Sequence, residues 1–247
     1  MLRRGQVTIF IIVAIVIVLG AVLFFVFRDS NNLDSSSASQ KLLNSQAVLI
    51  TDSISQCLEI ISLDGIRLLG IQGGYIFPPE NSIKTNFSTI AYAHYFNNNL
   101  LISTDSMQKE LNSYVELSMP LCFDGTLFEE FEVSFGEIKS DSRIESNIVK
   151  VFIDYPISIS IDSSRRNLDR EYRAVIPIEL GAMHEKANEL IEEEMENPFH
   201  ISLTGLSDSD YEVSVLSYNE KVLIYSITDE NLEDEAPYSF MFARRLG

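Results

Sequence analysis

Two cysteines are the side chains of this sequence with the clearest chemical potential. Cys57 lies on the apolar face of a helix-like stretch, and Cys122 follows a second such stretch. If this part of the chain lies outside the cell, two cysteines in one domain predict a disulfide, worth about 4 kcal/mol for so long a loop. The alternative is a pair of separate buried thiols that pack as small apolar groups. The pattern places no histidine near either cysteine, so we expect no catalytic thiol.

The three histidines, His94, His184 and His200, offer little chemistry. His184 and Glu185 begin a helical zinc-protease motif, but Asn188 stands where that motif requires its second histidine. No nucleophile elbow, phosphate-binding loop or dinucleotide fingerprint occurs in the sequence. We therefore predict no catalytic residue, no metal site and no cofactor, and we do not expect an enzyme.

Acidic side chains occur in short runs at 192–194, 208–212 and 229–235. Within the second run, the alternating Asp208, Asp210 and Glu212 could bind Ca²⁺ through oxygen ligands. That stretch lacks the twelve-residue loop with a central glycine and a terminal glutamate. Solvated surface is therefore the preferred interpretation of all three runs.

Three arginines, Arg165, Arg166 and Arg170, cluster between two predicted strands of a strongly acidic chain. At a hairpin tip they form a candidate contact for an acidic neighbour, including another copy of the chain, because opposite charges fix register and steer encounter. A solvated tip with local ion pairs is an equally good interpretation.

Asn86 is a candidate glycosylation site. It begins Asn86-Phe87-Ser88, which fits the acceptor sequence for glycosylation outside the cell. Chance occurrence explains this short motif equally well.

The charge distribution divides the chain of 247 residues into two parts. Lysines and arginines number 18 against 36 aspartates and glutamates. Every acid lies at or after Asp29, and 15 of the basic residues follow it, so that this part has a net charge of −21. So acidic an exterior excludes a nucleic-acid binder that works through a basic surface. Its ordinary apolar content excludes a disordered chain.

The other part is an uncharged apolar run over 7–27. As a helix it is about 31 Å long, close to the hydrocarbon thickness of a bilayer. Arg3 and Arg4 precede it, so we expect the N-terminus in the cytoplasm and 28–247 outside, as in a single-pass protein of the cell membrane. A cleaved secretory signal peptide fits less well, because the run is long and no small-x-small site follows it.

The residues at the start of the apolar run resemble the class III signal peptide of archaeal type IV pilin-like proteins. They read Arg3-Arg4-Gly5-Gln6-Val7-Thr8. The resemblance, which covers 3–27, implies that a peptidase cuts between Gly5 and Gln6 and leaves the helix on the mature chain. Thr8 stands where the family often has serine, and Phe10 where many members have the glutamate linked to filament assembly. The rest of the chain looks like membrane-anchored archaeal envelope proteins.

Helices are predicted from hydrophobic periodicity. Residues 28–40 are Ser-rich and predict a flexible polar linker. Over 41–72 apolar residues recur every three or four positions, which predicts a helix ended by the glycines at 73–74. This stripe favours a core helix over a dimerising stalk, because flanking Glu/Lys pairs are sparse. Further helices are predicted over 104–118 and 181–197.

The clearest strand signal is the alternation of apolar and polar residues over 147–161, where Pro156 demands an edge position or a bulge. Helices mixed with antiparallel strands, without βαβ alternation, predict an α+β class: an N-terminal transmembrane helix, then a long amphipathic helix packed on antiparallel sheet. Residues 41–247 form one extracytoplasmic domain or two lobes, 41–125 and 126–247. The other predicted strands are 90–96 and 100–103 as a hairpin, 131–135, 172–180, 199–204, 211–217, 221–227 and 238–242.

The sequence therefore predicts a single-pass, membrane-anchored, extracytoplasmic envelope protein that acts through protein–protein contacts. A pilin-like surface structure or an adhesion component is one form of this function. Its partners are expected to be the lipid bilayer and either envelope proteins or further copies of itself, and not nucleic acid. A membrane-tethered ligand-binding or receptor domain is the alternative, and a tethered hydrolase that uses scattered carboxylates comes third.

Overall fold

The chain folds into long and short helices packed on antiparallel sheets, as expected for the α+β class. Side chains of the first helix are described over 15–24 and from 40 onward. The computed structural model describes the backbone of residues 5–96, 98–122, 131–161, 164–196, 211–229 and 237–246. The predicted strand at 199–204 lies outside these residues.

Helix α1 (Gly5–Ile71) runs for 67 residues without a break, a length of about 100 Å. The helical backbone passes through 28–40, where we expected a flexible linker. The reason is that this stretch contains no glycine or proline and continues helix on both sides, so each of its residues extends a helix that is already nucleated. Among the described residues, no helix is both long and apolar enough to cross a membrane.

The second half of α1 buries one face in the protein core. The glycines that end it, Gly73 and Gly74, have φ of 74° and 88°, a conformation that glycine adopts without strain. The predicted helix and its end are confirmed, and the stripe is a core face rather than a free stalk. Its most buried apolar members are Leu43, Ala47, Ile50, Ile54, Leu58, Ile61, Ile66 and Leu69.

Helix α2 (Thr104–Ser118) occupies the predicted range and packs across α1. Ser103 caps it by accepting a hydrogen bond from the backbone N–H of Ser106. A 3₁₀ turn, Met119–Cys122, follows directly. The two helices approach so closely that a Cβ on Gly65 would lie 2.7 Å from Cδ1 of Leu111.

One sheet combines strands from 82–99 with strands from 212–245. Its order is β1-β2-β12-β11-β10, with the short β3 paired to β2 as the remnant of the expected hairpin. All neighbours are antiparallel except β2 and β12, which pair in parallel because the long intervening chain supplies the crossover. The bounds are β1 Ser82–Lys84, β2 Thr89–Tyr95, β3 Asn98–Asn99, β10 Glu212–Asn219, β11 Val222–Asp229 and β12 Tyr238–Arg245.

The second sheet region is a meander of three long strands, each divided into two shorter strands near Pro156. Phe135 pairs with Ile157 and Lys139 with Asp154, so three residues of the outer strand lie opposite two of the central strand. The extra residue makes a bulge in the outer strand opposite Pro156, and Pro156 itself lies in the central strand and not at an edge. The meander consists of β4 Glu132–Phe135, β5 Lys139–Ile144, β6 Val149–Asp154, β7 Ile157–Ile161, β8 Ser164–Asn167 and β9 Glu171–Ile176.

Helix α3 (Leu180–Glu196) completes the fold and packs against β12. The main core holds α1 and α2 together with residues of the meander, so side chains from both expected lobes belong to one cluster. A second, small core lies on the other face of the first sheet. Across this sheet the hydroxyl of Tyr218 on β10 donates to the carbonyl of Lys84 on β1 at 3.3 Å.

Candidate functional site

The structure brings Cys57 and Cys122 together at disulfide distance, with their Cα atoms 6.2 Å apart. Cys57 stands on a turn of α1, and Cys122 ends the 3₁₀ turn after α2. Both side chains are half-buried against the main core. A bond here ties the long helix to the end of the second helix, which is a structural role.

The three candidate arginines are all exposed, but they do not form one cluster. Arg165 donates to the hydroxyl of Ser158 at 2.7 Å, and Arg166 reaches Asn44 on α1. They are neighbours on β8, and adjacent strand residues point to opposite faces. Arg170 is held by Asp154 through two bonds of 3.0 and 2.8 Å. Of the three, Arg170 has a local ion pair, with Asp154, while the bonds of Arg165 and Arg166 go to neutral side chains.

Two grooves flank the break at Pro156 on the meander. The larger encloses about 620 Å³ and is lined by Phe152 together with charged groups of both signs, including Asp141 and Arg173. The smaller, of about 340 Å³, is lined by Pro156, Ser158 and Arg165 among others.

A cluster of buried polar side chains joins α3 to the first sheet. The guanidinium of Arg244 lies 2.9 Å from the carboxylate of Glu194, and both side chains are at most 3% exposed. The Tyr225 hydroxyl donates to the other oxygen of Glu194. Tyr225 is also stacked on Phe242, with ring centroids 5.0 Å apart. Register pairs Arg244 with His94, whose side chain is 3% exposed.

Burial dominates the acid–base behaviour of this cluster. It raises the pKa of Glu194, although the hydrogen bond from Tyr225 and the charge of Arg244 act in the opposite direction. It lowers the pKa of His94, and the nearby Arg244 lowers it further. Neither ring nitrogen of His94 has a hydrogen-bond partner among the described groups. The neutral imidazole is therefore the form that the fold accommodates.

The sequence did not reveal this cluster, because Glu194 ends an acidic run that we interpreted as solvated surface. That interpretation is wrong for Glu194, and also for Asp229, which is 6% exposed. The signal that could have found Glu194 is helical periodicity: it continues the buried face formed by Met183, Ala187 and Ile191.

The remaining candidates are His184 and the proposed Ca²⁺ ligands Asp208, Asp210 and Glu212. His184 is half-buried, with Nε2 at 2.7 Å from the carbonyl of Ile102, while Asn188 accepts a bond from Asn99. The proposed Ca²⁺ ligand Glu212 starts β10, but Asp208 and Asp210 lie outside the described residues. No group of His, Cys, Asp and Glu side chains able to hold a metal ion occurs among the described residues.

The two candidate modification sites are the glycosylation site at Asn86 and the leader cleavage site between Gly5 and Gln6. Asn86 is exposed in the turn between β1 and β2, next to Phe87, which is 96% exposed. This position is accessible to a modifying enzyme. Gly5 is the first residue of α1, and Gln6 follows it in the helix.

Similarity to other proteins adds no assignment to these sites. Comparison with protein-family models, with curated proteins and with solved structures gives no match for this chain.

Proposed function

We propose that this is a single-pass membrane-anchored protein whose domain stands outside the cell and acts through protein contacts. The observation that carries the proposal is the exposure of the side chains of α1 over 15–24, where every residue is exposed. Ten consecutive residues cover all sides of a helix, and an apolar surface on all sides needs lipid or another apolar partner. The large apolar residues there are all more than half exposed: Ile15, Val16, Ile17, Val18, Leu19, Val22, Leu23 and Phe24.

The charge pattern supports an outward orientation. Arg3 and Arg4 precede the apolar run and no acid does, which is the arrangement of a cytoplasmic N-terminus. The domain that follows is acidic enough to repel an anionic membrane surface, so it stands clear of the headgroups. The continuous helical backbone of α1 gives a stiff connection between the anchor and the domain.

Protein contacts are supported by exposed apolar residues on the part of α1 beyond the anchor. Val48, Leu49 and Ile60 are each more than half exposed, on the side of the helix away from the core. A pilin-like surface structure or an adhesion component is the specific form that the leader-like start favours. In that form the mature chain begins at Gln6.

Membrane anchoring is tested by alkaline carbonate extraction of membranes that contain the full chain. We expect wild type to stay in the membrane pellet, and Ile17→Asp with Val18→Asp to pass into the supernatant. The matched control is Val48→Asp with Leu49→Asp, a pair of similar exposure on the same helix, which should stay in the pellet. Release of the wild-type chain by carbonate would refute the anchor.

Leader processing is a separate question with its own measurement. Intact-mass analysis of native protein should show the loss of residues 1–5. An uncut start would remove the pilin-like form and leave the membrane anchor in place. A Gly5→Val variant, which alters the residue before the cut, should keep its start.

A membrane-tethered binding domain is the second candidate, and the larger groove of the meander favours it. Phe152 in this groove is half-buried beneath the guanidinium of Arg143, 5.8 Å from the ring centroid. Thermal-shift screening with amino acids, sugars and short peptides should reveal a stabilising ligand whose effect is lost in Phe152→Ala. A ligand whose effect survives that change binds elsewhere.

A further inference from the structure

The outer edges of the sheets are protected in different ways. On the edge strand β5, the backbone N–H of Ser140 donates to Glu116 at 2.8 Å, and that of Ile144 donates to Gln108 at 3.0 Å. Both acceptors belong to α2, so this helix caps the edge of the meander. The opposite strands of the meander lie against α1, and β1 is only three residues long. Short length and coverage are usual devices against unwanted strand pairing.

Strand β10 has none of these protections within the described part of the chain. It is eight residues long, and six of the eight are exposed. Its described backbone pairing is with β11 alone, regular from Glu212 to Ser217. Leu216 is 66% exposed and Tyr218 47% exposed. A long, regular edge with exposed apolar side chains is a template for another strand.

We propose that β10 pairs with β10 of a second copy of this chain, edge to edge and antiparallel. The inference rests on the proposed role in protein contacts and gives that role a surface and a partner. Antiparallel pairing of one strand with itself follows a two-fold axis, so the same residues serve both copies. The chain of backbone hydrogen bonds then continues from one sheet into the other.

The charge distribution permits a second copy as the occupant of this edge. The chain carries a net charge of −18, so two copies repel wherever acids face each other. Residues 213–219 of β10 contain no charge, and the one acid of the strand, Glu212, lies at its end. The long helices α2 and α3, by contrast, expose Asp105, Glu116 and Glu185. A basic partner would bind such acidic surfaces, whereas a like-charged copy needs an uncharged edge.

The contact between the two copies should depend on the salt concentration. The pairing itself involves hydrogen bonds and apolar side chains, while the repulsion between the two domains is electrostatic. Salt screens repulsion between exposed charges, with a Debye length that falls from about 10 Å at 0.1 M to about 3 Å at 1 M. The dimer should therefore become stronger as the salt concentration rises.

The test measures the oligomeric state of the full chain in detergent micelles by light scattering at 0.1 M and 1 M NaCl. We expect a dimer that is stronger in 1 M NaCl, and at least a tenfold rise in dissociation constant for Leu216→Lys and for Ser214→Lys. The matched control is Leu117→Lys on α2, which is equally exposed at 66% and should dimerise like wild type. Circular dichroism verifies that each variant is folded.

Site-specific crosslinking in native membranes locates the contact. Leu216→Cys and Ser214→Cys, one or both, should give a covalent dimer under mild oxidation, and Leu117→Cys should not. A monomer at both salt concentrations, or equal weakening by Leu216→Lys and Leu117→Lys, would overturn the proposal. In either case another partner or another segment of the chain covers β10. Carbonate extraction reports on the anchor separately, so failure of the dimer leaves the proposed anchoring intact.

Discussion

Arg244 on the last strand holds Glu194 near the end of α3 through a contact of 2.9 Å inside the protein. Tyr225 completes the arrangement by donating its hydroxyl to the same carboxylate. A charge so deeply buried is tolerated only while its partner is present. This pair therefore fixes α3 on the first sheet, at a place where the sequence shows an acidic run.

Breaking the buried pair from one side should destabilise the fold strongly. We expect Glu194→Ala, which leaves Arg244 buried without its carboxylate, to lower the free energy of unfolding by about 3–5 kcal/mol. The double variant Glu194→Leu with Arg244→Met should recover part of this loss, because it removes both charges. The measurement is urea unfolding followed by circular dichroism.

The control for this experiment is the more exposed pair Lys186–Glu189, which has an N–O distance of 3.2 Å. Glu189→Ala should cost at most about 1 kcal/mol, as solvent screens such pairs. Equal costs for Glu194→Ala and Glu189→Ala would show that the buried pair does not hold α3.

His94 should make the fold less stable in mild acid. Its pKa in the folded protein is lowered from the ordinary 6.5, first by burial and then by Arg244. Below the ordinary pKa the unfolded chain takes up a proton that the folded protein refuses. The contribution of His94 is therefore complete above that value and is lost as the pH falls.

Urea unfolding at a series of pH values between 5 and 7.5 measures this effect. Wild type should lose stability as the pH falls, and His94→Gln should show a shallower dependence. Glu194 titrates with its own shifted pKa in both proteins, so the difference between them isolates His94. Parallel curves would rule out the imidazole as the cause.

The cysteine pair should stabilise the domain as a disulfide. Cys57→Ser should migrate the same with and without reductant, whereas wild type should change its mobility. Loss of the bond should lower the free energy of unfolding by about 2–5 kcal/mol. Because Cys57→Ser and Cys122→Ser break the same bond, the double variant should be no less stable than either single one. An additive double variant would indicate two separately packed thiols.

The sequence predicts local structure well where one face of an element meets the core. The bounds of α2 follow from its capping serine and its buried face, and the end of α1 from the glycines at 73–74. Periodicity also identified most of β11 and β12. These features depend on residues within one element, so a single sequence contains them.

Features that depend on distant partners escaped prediction. The parallel pairing of β2 with β12 joins residues that are far apart in the chain, and β5 is a strand mainly through its partners. Arg244 gives no local sign that it faces Glu194. The Ser-rich 28–40 segment has low helix propensity, but the helix on each side of it outweighs that tendency.

Labelling of the domain from outside the cell tests the central claim most directly. Phe87→Cys places a thiol on the exposed turn between β1 and β2, where the original side chain is 96% exposed. A membrane-impermeant maleimide of high mass should shift this variant on gels in intact cells as fully as in lysed cells. Wild type, whose cysteines are paired, should not shift in either. Labelling of Phe87→Cys only after lysis would contradict the proposed outward-facing, membrane-anchored domain.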